Sequence, residues 1–420
     1  MCKSYYNGSS EEIILEKETQ DIKHTQLTAE AHLNKLLAFA QQHSAALAIY
    51  RLPNDSKLQI LCDLSGGKAI DDFNLEDLSS GFLLHPFQTE EDKIVHFEAE
   101  IIAEINLNRE NKRSNQSHSL EWQKSPSDEI EKKIENTNTD FDFTLLEKGL
   151  NNKSTLASDY IAMVEKGIQL IKREEFYKVV PSKIKNIESK NDINLGQAFI
   201  NACEKYPNAF VNLTYSAKTG LWFGASPETL IEDKRGEYFK TMALAGTQAK
   251  SEKSIAETTW TQKEIEEQAY VSRYVINCFK KIRLRDFDEI GPKTVQAGNL
   301  LHLKTTFKVH TESVNFPELG SVMLKLLHPT SAVCGMPKEP ALNFLTNEEK
   351  HNRSYFSGFL GPVHMDGLSH LFVNLRCCQI NNQSVTFYAG AGITEDSKAE
   401  KEWEETEMKC KVLSNIIFGI

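Results

Sequence analysis

The sequence predicts an α+β protein built on large, mostly antiparallel sheets. Two observations carry that expectation. Short runs rich in Val, Ile, Leu, Phe and Tyr recur along the 420 residues, and helical stretches interrupt them without strict strand–helix alternation. The composition, 40% hydrophobic and 25% charged, is that of a soluble globular chain able to bury one large core or two modest ones.

Residues 1–26 are polar and are expected to fray. The apolar spacing of AEAHLNKLLAFAQQHS predicts a helix over 28–43. Strand-like runs follow at 46–52, 57–63, 81–87 and 93–101. Residues 107–141, rich in Asn, Ser, Lys and Glu, read as a mobile surface excursion. Either a domain boundary or a long loop within one domain fits them. A helix near 155–174 precedes the strand EFYKVVPSKI, and a helix near 195–205 precedes the strands AFVNLTYS, GLWFGAS and YFKTMALAG. A long helix is expected over 256–282. Strands at 300–310, 357–364, 370–380 and 384–389, helices near 317–327 and 339–350, and a final acidic helix complete the chain.

Charge and cysteine usage narrow the function. With 48 Lys and Arg against 59 Asp and Glu the net charge is −11, which argues against nucleic acid or an anionic membrane as the main partner. No apolar run reaches the roughly 18 residues of a membrane span, and MCKSYYNGSSEEIILEKE does not read as a secretory signal. Eight scattered cysteines without a CxxC pair read as reduced thiols in the cytoplasm, with Cys377 and Cys378 on opposite faces of a strand.

The densest chemical signal is YAGAGITEDSKAEKEWEETEMK at 388–409. A glycine-rich turn opens an acidic helix on which Glu402, Glu405 and Lys409 share one face. Two carboxylates and an ammonium below a loop of free N–H groups suit a metal and an anionic ligand. Elsewhere the candidates keep two readings each. Lys178 in FYKVVPSK, on one face with Phe176 and Val180, is either a desolvated base or an exposed edge-strand lysine. Glu228 after FGASP is a carboxylate presented at a strand end or a turn cap. Gly246 and Thr247, ending MALAGT, bind a carboxylate or close an ordinary turn. Glu267 on the long helix matters only if that helix lies beside Glu402 and Glu405, in which case Mg²⁺ suits the oxygen ligands better than zinc. Arg376 in VNLRCC holds a carboxylate ligand or an internal partner. His302 and His328 sit among apolar residues. HExxH, GxSxG, Walker and dinucleotide motifs are absent.

In succession stand KVVPSK, FGASPE, ALAGT, KEIEEQ, HLKT, LHPTSAVCGMP, RSYFSGFLG, VNLRC, GAGI and EWEETEMK. That ordered series resembles the chorismate-utilising enzymes: isochorismate, salicylate, anthranilate and aminodeoxychorismate synthases. The likeness is strong over about 155–416 and general before 150. It implies a single large domain over 1–420, two big antiparallel sheets with helices outside, 107–141 as a surface loop, and a motif-bearing part at 153–416. It implies chorismate and Mg²⁺, with Glu267 and Glu405 as metal ligands and Glu402 nearby. Lys409, Arg376, Tyr355 and the Gly390–Ala391–Gly392 turn resemble groups that hold the substrate carboxylates. Ala245, Gly246, Thr247, His302 and Thr305 resemble the rest of that pocket.

Within the family, ammonia-using members carry Gln where this chain has Lys178, and aminodeoxychorismate synthases carry Lys where it has Ala245. Water attack is therefore expected. The resemblance implies isochorismate synthase, a hydroxymutase, with Lys178 as base and Glu228, its pKa raised, as acid. Salicylate synthase is the rival, then anthranilate synthase or an inactive relative. The chain departs from the pattern at Gln268, Ser331 and Lys183, where His, Pro and Arg are common. A monomer without an amidotransferase subunit is expected, serving menaquinone or siderophore synthesis.

Overall fold

Two nine-stranded antiparallel sheets lie face to face in the computed structural model, with helices on both outer faces. The structure describes residues 27–90, 92–107, 118–146, 153–189, 193–249, 255–297 and 300–419. The stretch 1–26, expected to fray, lies outside the described residues, as do 108–117 of the polar segment.

The chain begins with α1 (Ala29–Gln42), β1 (Ala46–Arg51), β2 (Lys57–Asp63), β3 (Lys68–Ile70), β4 (Gly81–His85), β5 (Ile94–Glu98) and β6 (Ile101–Asn106). Next come β7 (Glu121–Lys124), α2 (Asp128–Asn136), α3 (Ala157–Lys172), β8 (Lys178–Val179), β9 (Ser182–Glu188) and α4 (Leu195–Lys205). The middle holds β10 (Phe210–Ser216), β11 (Gly220–Ser226), β12 (Thr229–Lys234), β13 (Tyr238–Ala249), α5 (Gln262–Lys281), β14 (Asp288–Ala297) and β15 (Leu300–His310). α6 (Leu319–Leu327), β16 (Gly335–Met336), α7 (Lys338–Glu348), β17 (Phe359–Val363), β18 (Leu368–Val373), β19 (Cys377–Ile380), β20 (Ser384–Gly390) and α8 (Ala399–Phe418) complete it.

The first sheet runs β7-β6-β2-β1-β10-β11-β19-β20-β9 and the second β14-β15-β13-β12-β18-β17-β4-β5-β3, with β8 and β16 paired separately. Side-chain alternation sorts the apolar residues into three cores. On β4, Phe82 and Leu84 face the opposite sheet while Leu83 faces the helices outside. Phe210 of the first sheet stacks on Phe372 of the second at 4.0 Å and 3°. α8 crosses between layers. Its start, Ala399 and Trp403, packs with the second sheet's outer core, and Cys410 and Leu413 pack with the first's.

Three strand-like runs divide where the sequence suggested continuity. The 93–101 run ends at Glu98, and a separate strand starts at Ile101. EFYKVVPSKI breaks at Pro181, so β8 pairs with β16 and β9 joins the first sheet. The 370–380 run leaves the second sheet after Val373 and enters the first at Cys377. Arg376 is therefore not within a strand. It sits at this crossing in the left-handed region, φ 48°. Cys377 faces the inter-sheet core and Cys378 the outer core, the opposite faces their adjacency predicts.

The polar segment expected as a surface loop holds regular structure in its described part. β7 pairs with β6, and α2 turns Ile134 into the core beside α1. Charge conceals both, since few apolar residues carry the packing. β14, not expected from the sequence, is an edge strand whose Pro292 interrupts its pairing with β15. Among the described residues no helix is long and apolar enough to cross a membrane, and the seven described cysteines are buried free thiols.

Phe210→Ala is expected to destabilise the protein by about 3–5 kcal/mol, because it opens a cavity at the sheet–sheet contact. Leu145→Ala, at an exposed side chain, should change stability by less than about 0.5 kcal/mol. Chemical denaturation read by tryptophan fluorescence compares the two.

Candidate active site

The divided strands deliver their ends to one cleft. Its volume is about 90 Å³, and its walls include Lys178, Glu228, Ala245, Thr247, Glu267, His302, Arg376, Gly390, Gly392, Glu405 and Lys409. With Val333 and Arg353 also in the walls, residues from ten segments of the sequence meet there.

Lys178 is buried, 1% exposed, and its Nζ lies 3.0 Å from Glu267 Oε1. The edge-strand reading of this lysine is overturned, because β8 is covered by the β16 segment and the 391–393 turn. Glu267 projects from α5, whose first turn is fixed by Glu264 accepting from the Thr261 N–H at 2.7 Å. Glu402 and Glu405 project from α8. Lys263 binds Glu402 at 3.2 Å, and Lys409 binds Glu405 at 2.6 Å and donates to the Gly390 carbonyl at 2.8 Å. The two helices do lie together, since Lys263 interacts with Glu402, Glu267 and Glu405 at once. Burial pushes Glu405 up, but Lys409 and Arg376 outweigh it and hold its carboxyl below the usual range. Burial and the neighbouring Glu405 push Glu402 up.

The three carboxylates share Lys263 as a neighbour and offer only oxygen donors, the type a hard divalent cation takes. Among the described residues no group of three or more His, Cys, Asp or Glu side chains is placed so that it could hold a metal ion. The carboxylates rest on lysines instead. Gly392 leaves the necessary room, for a Cβ there would come within 2.9 Å of Glu267 Oε1 and 3.0 Å of Lys178 Cε.

Glu228 follows Pro227 between β11 and β12. Its carbonyl accepts from the Val373 N–H at 3.0 Å, and the Ser226 hydroxyl donates to the Val373 carbonyl. The carboxyl is buried, 5% exposed, and makes no hydrogen bond or ion pair among the described residues. Desolvation raises its pKa to about 7, against the pull of Lys178, Arg376 and Lys409. His302 Nδ1 lies 3.0 Å from the Gly246 carbonyl, and its buried Nε2 has no partner among the described residues. Burial and then Arg376 lower its pKa to about 4, so the ring is neutral. With Nδ1 donating, Nε2 offers a lone pair. Arg376 Nη1 is likewise buried without a partner.

Five expected residues stand outside the cleft walls. Gly246, φ +66°, is the bulge between Ala245 and Thr247 and serves through its carbonyl. The Thr305 hydroxyl accepts from Gln268 Nε2 at 3.0 Å, and Gln268 also donates to the Ala243 carbonyl at 3.1 Å. Tyr355 turns away and donates to the Lys93 carbonyl at 2.7 Å. Glu402 is not a wall residue and pairs with Lys263. Ala391 donates its N–H to Pro181 at 3.2 Å, and Ile393 donates to Val179 at 2.8 Å. The expected loop of free N–H groups is thus corrected: the turn uses these two donors to hold the 179–181 segment.

Sequence reasoning missed Arg353, Phe356 and Tyr388. Arg353 is buried and bonds Glu349 at 2.5 Å, the Val333 carbonyl at 2.8 Å and the Val180 carbonyl at 2.7 Å. It braces three wall segments. Phe356 takes the wall position expected of Tyr355. The alternation within RSYFSG held the signal, but its phase is not readable outside a strand. The remaining departures are absorbed locally. Lys183 pairs with Glu407 and lies 3.4 Å from the Trp403 ring centroid, and the buried Ser331 hydroxyl has no partner among the described residues.

Residues 22–418 match the family described as chorismate binding enzyme. The vibriobactin-specific isochorismate synthase of Vibrio cholerae is 31% identical over 197 residues, 45% of this chain and 49% of that protein. Isochorismate synthase EntC of Escherichia coli is 27% identical over 264 residues, 61% of this chain and 66% of that protein. These matches thus span less than two thirds of either relative. In structure the chain resembles MenF, the menaquinone-specific isochorismate synthase from Escherichia coli, with TM-score 0.69, 19% identity and 91% of each chain covered. That likeness shows the fold of two antiparallel sheets in one domain.

Folding keeps a proton on Glu228 from the unfolded value, 4.5, up to about 7. The folded protein therefore binds more protons than the unfolded chain in that window, and this residue costs stability as pH rises through it. Glu228→Gln should match wild type most closely near pH 4 and gain on it up to pH 8, by at most about 3 kcal/mol. Denaturation curves at both pH values test this, and a pH-independent difference refutes it.

Proposed function

The chain belongs to the chorismate binding enzymes, and from that membership we propose that it is a Mg²⁺-dependent isochorismate synthase, an isomerase acting on chorismate. The observation that carries the reading is one cleft holding both a buried lysine and a buried carboxyl kept near pH 7, Lys178 and Glu228. The named relatives, all isochorismate synthases by description, support it.

In the proposed reaction Lys178 takes a proton from water as the water oxygen bonds to C2 of chorismate. Both ring double bonds shift by one position. The C4–O bond breaks, and Glu228 gives its proton to the departing hydroxyl, which leaves as water. A carboxyl with pKa about 7 is protonated in time to act as that acid. Arg376 and Lys409 supply positive charge for the two substrate carboxylates, and the lone pair on His302 Nε2 accepts from a substrate hydroxyl. Glu267 and Glu405, with Glu402 beside them, would hold Mg²⁺, which supplies Lewis-acid charge for the ring carboxylate. Positioning and electrostatics carry the rate, without a covalent intermediate.

The lysine in place of Gln supports water over ammonia as nucleophile, and no amidotransferase subunit is then needed. We place the protein in the cytoplasm as a monomer, supplying isochorismate to menaquinone or siderophore synthesis.

Purified protein given chorismate and Mg²⁺ should form isochorismate without salicylate or pyruvate, with products separated by chromatography. Salicylate with pyruvate would make it a salicylate synthase, and no turnover would overturn the enzymatic reading. Lys178→Ala and Glu228→Gln should each lower kcat at least about a hundredfold. The wild-type kcat should fall as pH rises past about 7, where Glu228 loses its proton. A profile flat to pH 9 excludes Glu228 as the acid.

A further inference from the structure

α5 lies on the second sheet through a stripe spaced i, i+3, i+7 and i+10: Gln268, Val271, Val275 and Cys278. Gln268 is the one amide among the buried residues of this helix, and no helix residue before it is buried. The apolar contacts of the stripe begin only at Val271. The first buried anchor of the end that carries Lys263 and Glu267 is thus a polar one.

Gln268 is 3% exposed. Its Nε2 donates to the Ala243 carbonyl at 3.1 Å and to the Thr305 hydroxyl at 3.0 Å. Ala243 and Thr305 are register partners across β13 and β15, so the two bonds straddle both strands. Farther along the same strands stand Ala245 and His302, both in the cleft wall. Oε1 is buried without a partner among the described residues. Packing alone does not account for an amide here, since an apolar side chain of that length would leave no acceptor dry.

Directional bonds to two strands resist rolling of a helix about its axis, which non-directional apolar contacts resist less. Glu267 is the adjacent residue, so any roll swings its carboxylate. At a radius of about 6 Å, a roll of about 10° moves that group by about 1 Å, and a misplacement of that size costs about a hundredfold in rate. The tolerance is small, because Glu267 Oε1 stands 3.0 Å from Lys178 Nζ and would be 2.9 Å from a Cβ at Gly392.

We propose that Gln268 is a positioning residue: its amide locks the roll of α5 on β13 and β15 and so fixes the Glu267 carboxylate against Lys178. The inference rests on Glu267 holding Mg²⁺ in an isochorismate synthase. Neutral histidine, the residue common at this place in the family pattern, carries one N–H and serves only one of the two acceptors.

Gln268→Leu keeps a similar volume and removes both donors, and Gln268→His keeps one. Thr305→Val removes one acceptor and tests the same lock should Gln268→Leu fail to fold, with folding checked by circular dichroism. In Gln268→Leu, calorimetric Mg²⁺ affinity and the Mg²⁺ activation constant in turnover should both weaken about ten- to hundredfold, the effect of losing a group that supports a metal ligand. kcat/KM for chorismate should fall by a similar factor. Gln268→His and Thr305→Val should lose less. The pH at which kcat falls should stay near 7, because Glu228 lies outside the lock, whereas a general loosening of the sandwich would move it. Mg²⁺ affinity and kcat/KM within about twofold of wild type in folded Gln268→Leu or, if that variant does not fold, in Thr305→Val overturn the inference alone. A displaced pH limb overturns it too, as does Gln268→His losing as much as Gln268→Leu. A wild type that neither binds Mg²⁺ nor turns over chorismate overturns the functional reading, and this inference with it.

Discussion

Charge held out of water needs a partner, and that rule organises the whole cleft. Glu267 rests on Lys178, Glu402 on Lys263 and Glu405 on Lys409. The first two pairs join different elements, so they also set how β8, α5 and α8 approach one another. Glu228 is the exception. Three cations act on it from a distance, but none pairs with it, and its proton becomes the cheapest means of neutrality. The same low-polarity surroundings thus give two kinds of carboxyl, one ionised and one protonated, a few elements apart.

The scaffold makes this possible by ending its strands at the cleft. Lys178, Glu228 and Arg376 all sit at strand ends or at breaks between strands, where backbone groups are free to bond sideways. Arg353 and Glu349 take up several of those groups, including the Val180 and Val333 carbonyls and the Ser182 N–H. Polar atoms that would otherwise be stranded become a frame for the walls.

Much of this was legible in the residues. The periodicity of α1 and α4, the strands from Phe210 to Ser226, and the shared face of Glu405 and Lys409 follow from local rules, and the order of the motifs identified the family. What could not be read depended on contacts distant in sequence. Nothing local says that Val373 and Cys377 belong to different sheets, or that Tyr355 faces Lys93 while Phe356 faces the cleft. β7 and α2 were hidden because a few apolar residues among many charges carry their packing. The N–H groups of the 390–393 turn looked free because their acceptors, Pro181 and Val179, lie some 200 residues away.

The crossing at 374–376 has a mechanical meaning. A single stretch of backbone leaves one sheet at Val373 and joins the other at Cys377, and its last residue, Arg376, holds a strained left-handed conformation. The position of that guanidinium therefore registers the gap between the two sheets, much as a bridge deck registers the spread of its piers. Slow breathing of the sandwich would move the arginine directly, without any loop acting as a lid. In this architecture the stiffness of the inter-sheet core itself fixes where that guanidinium stands.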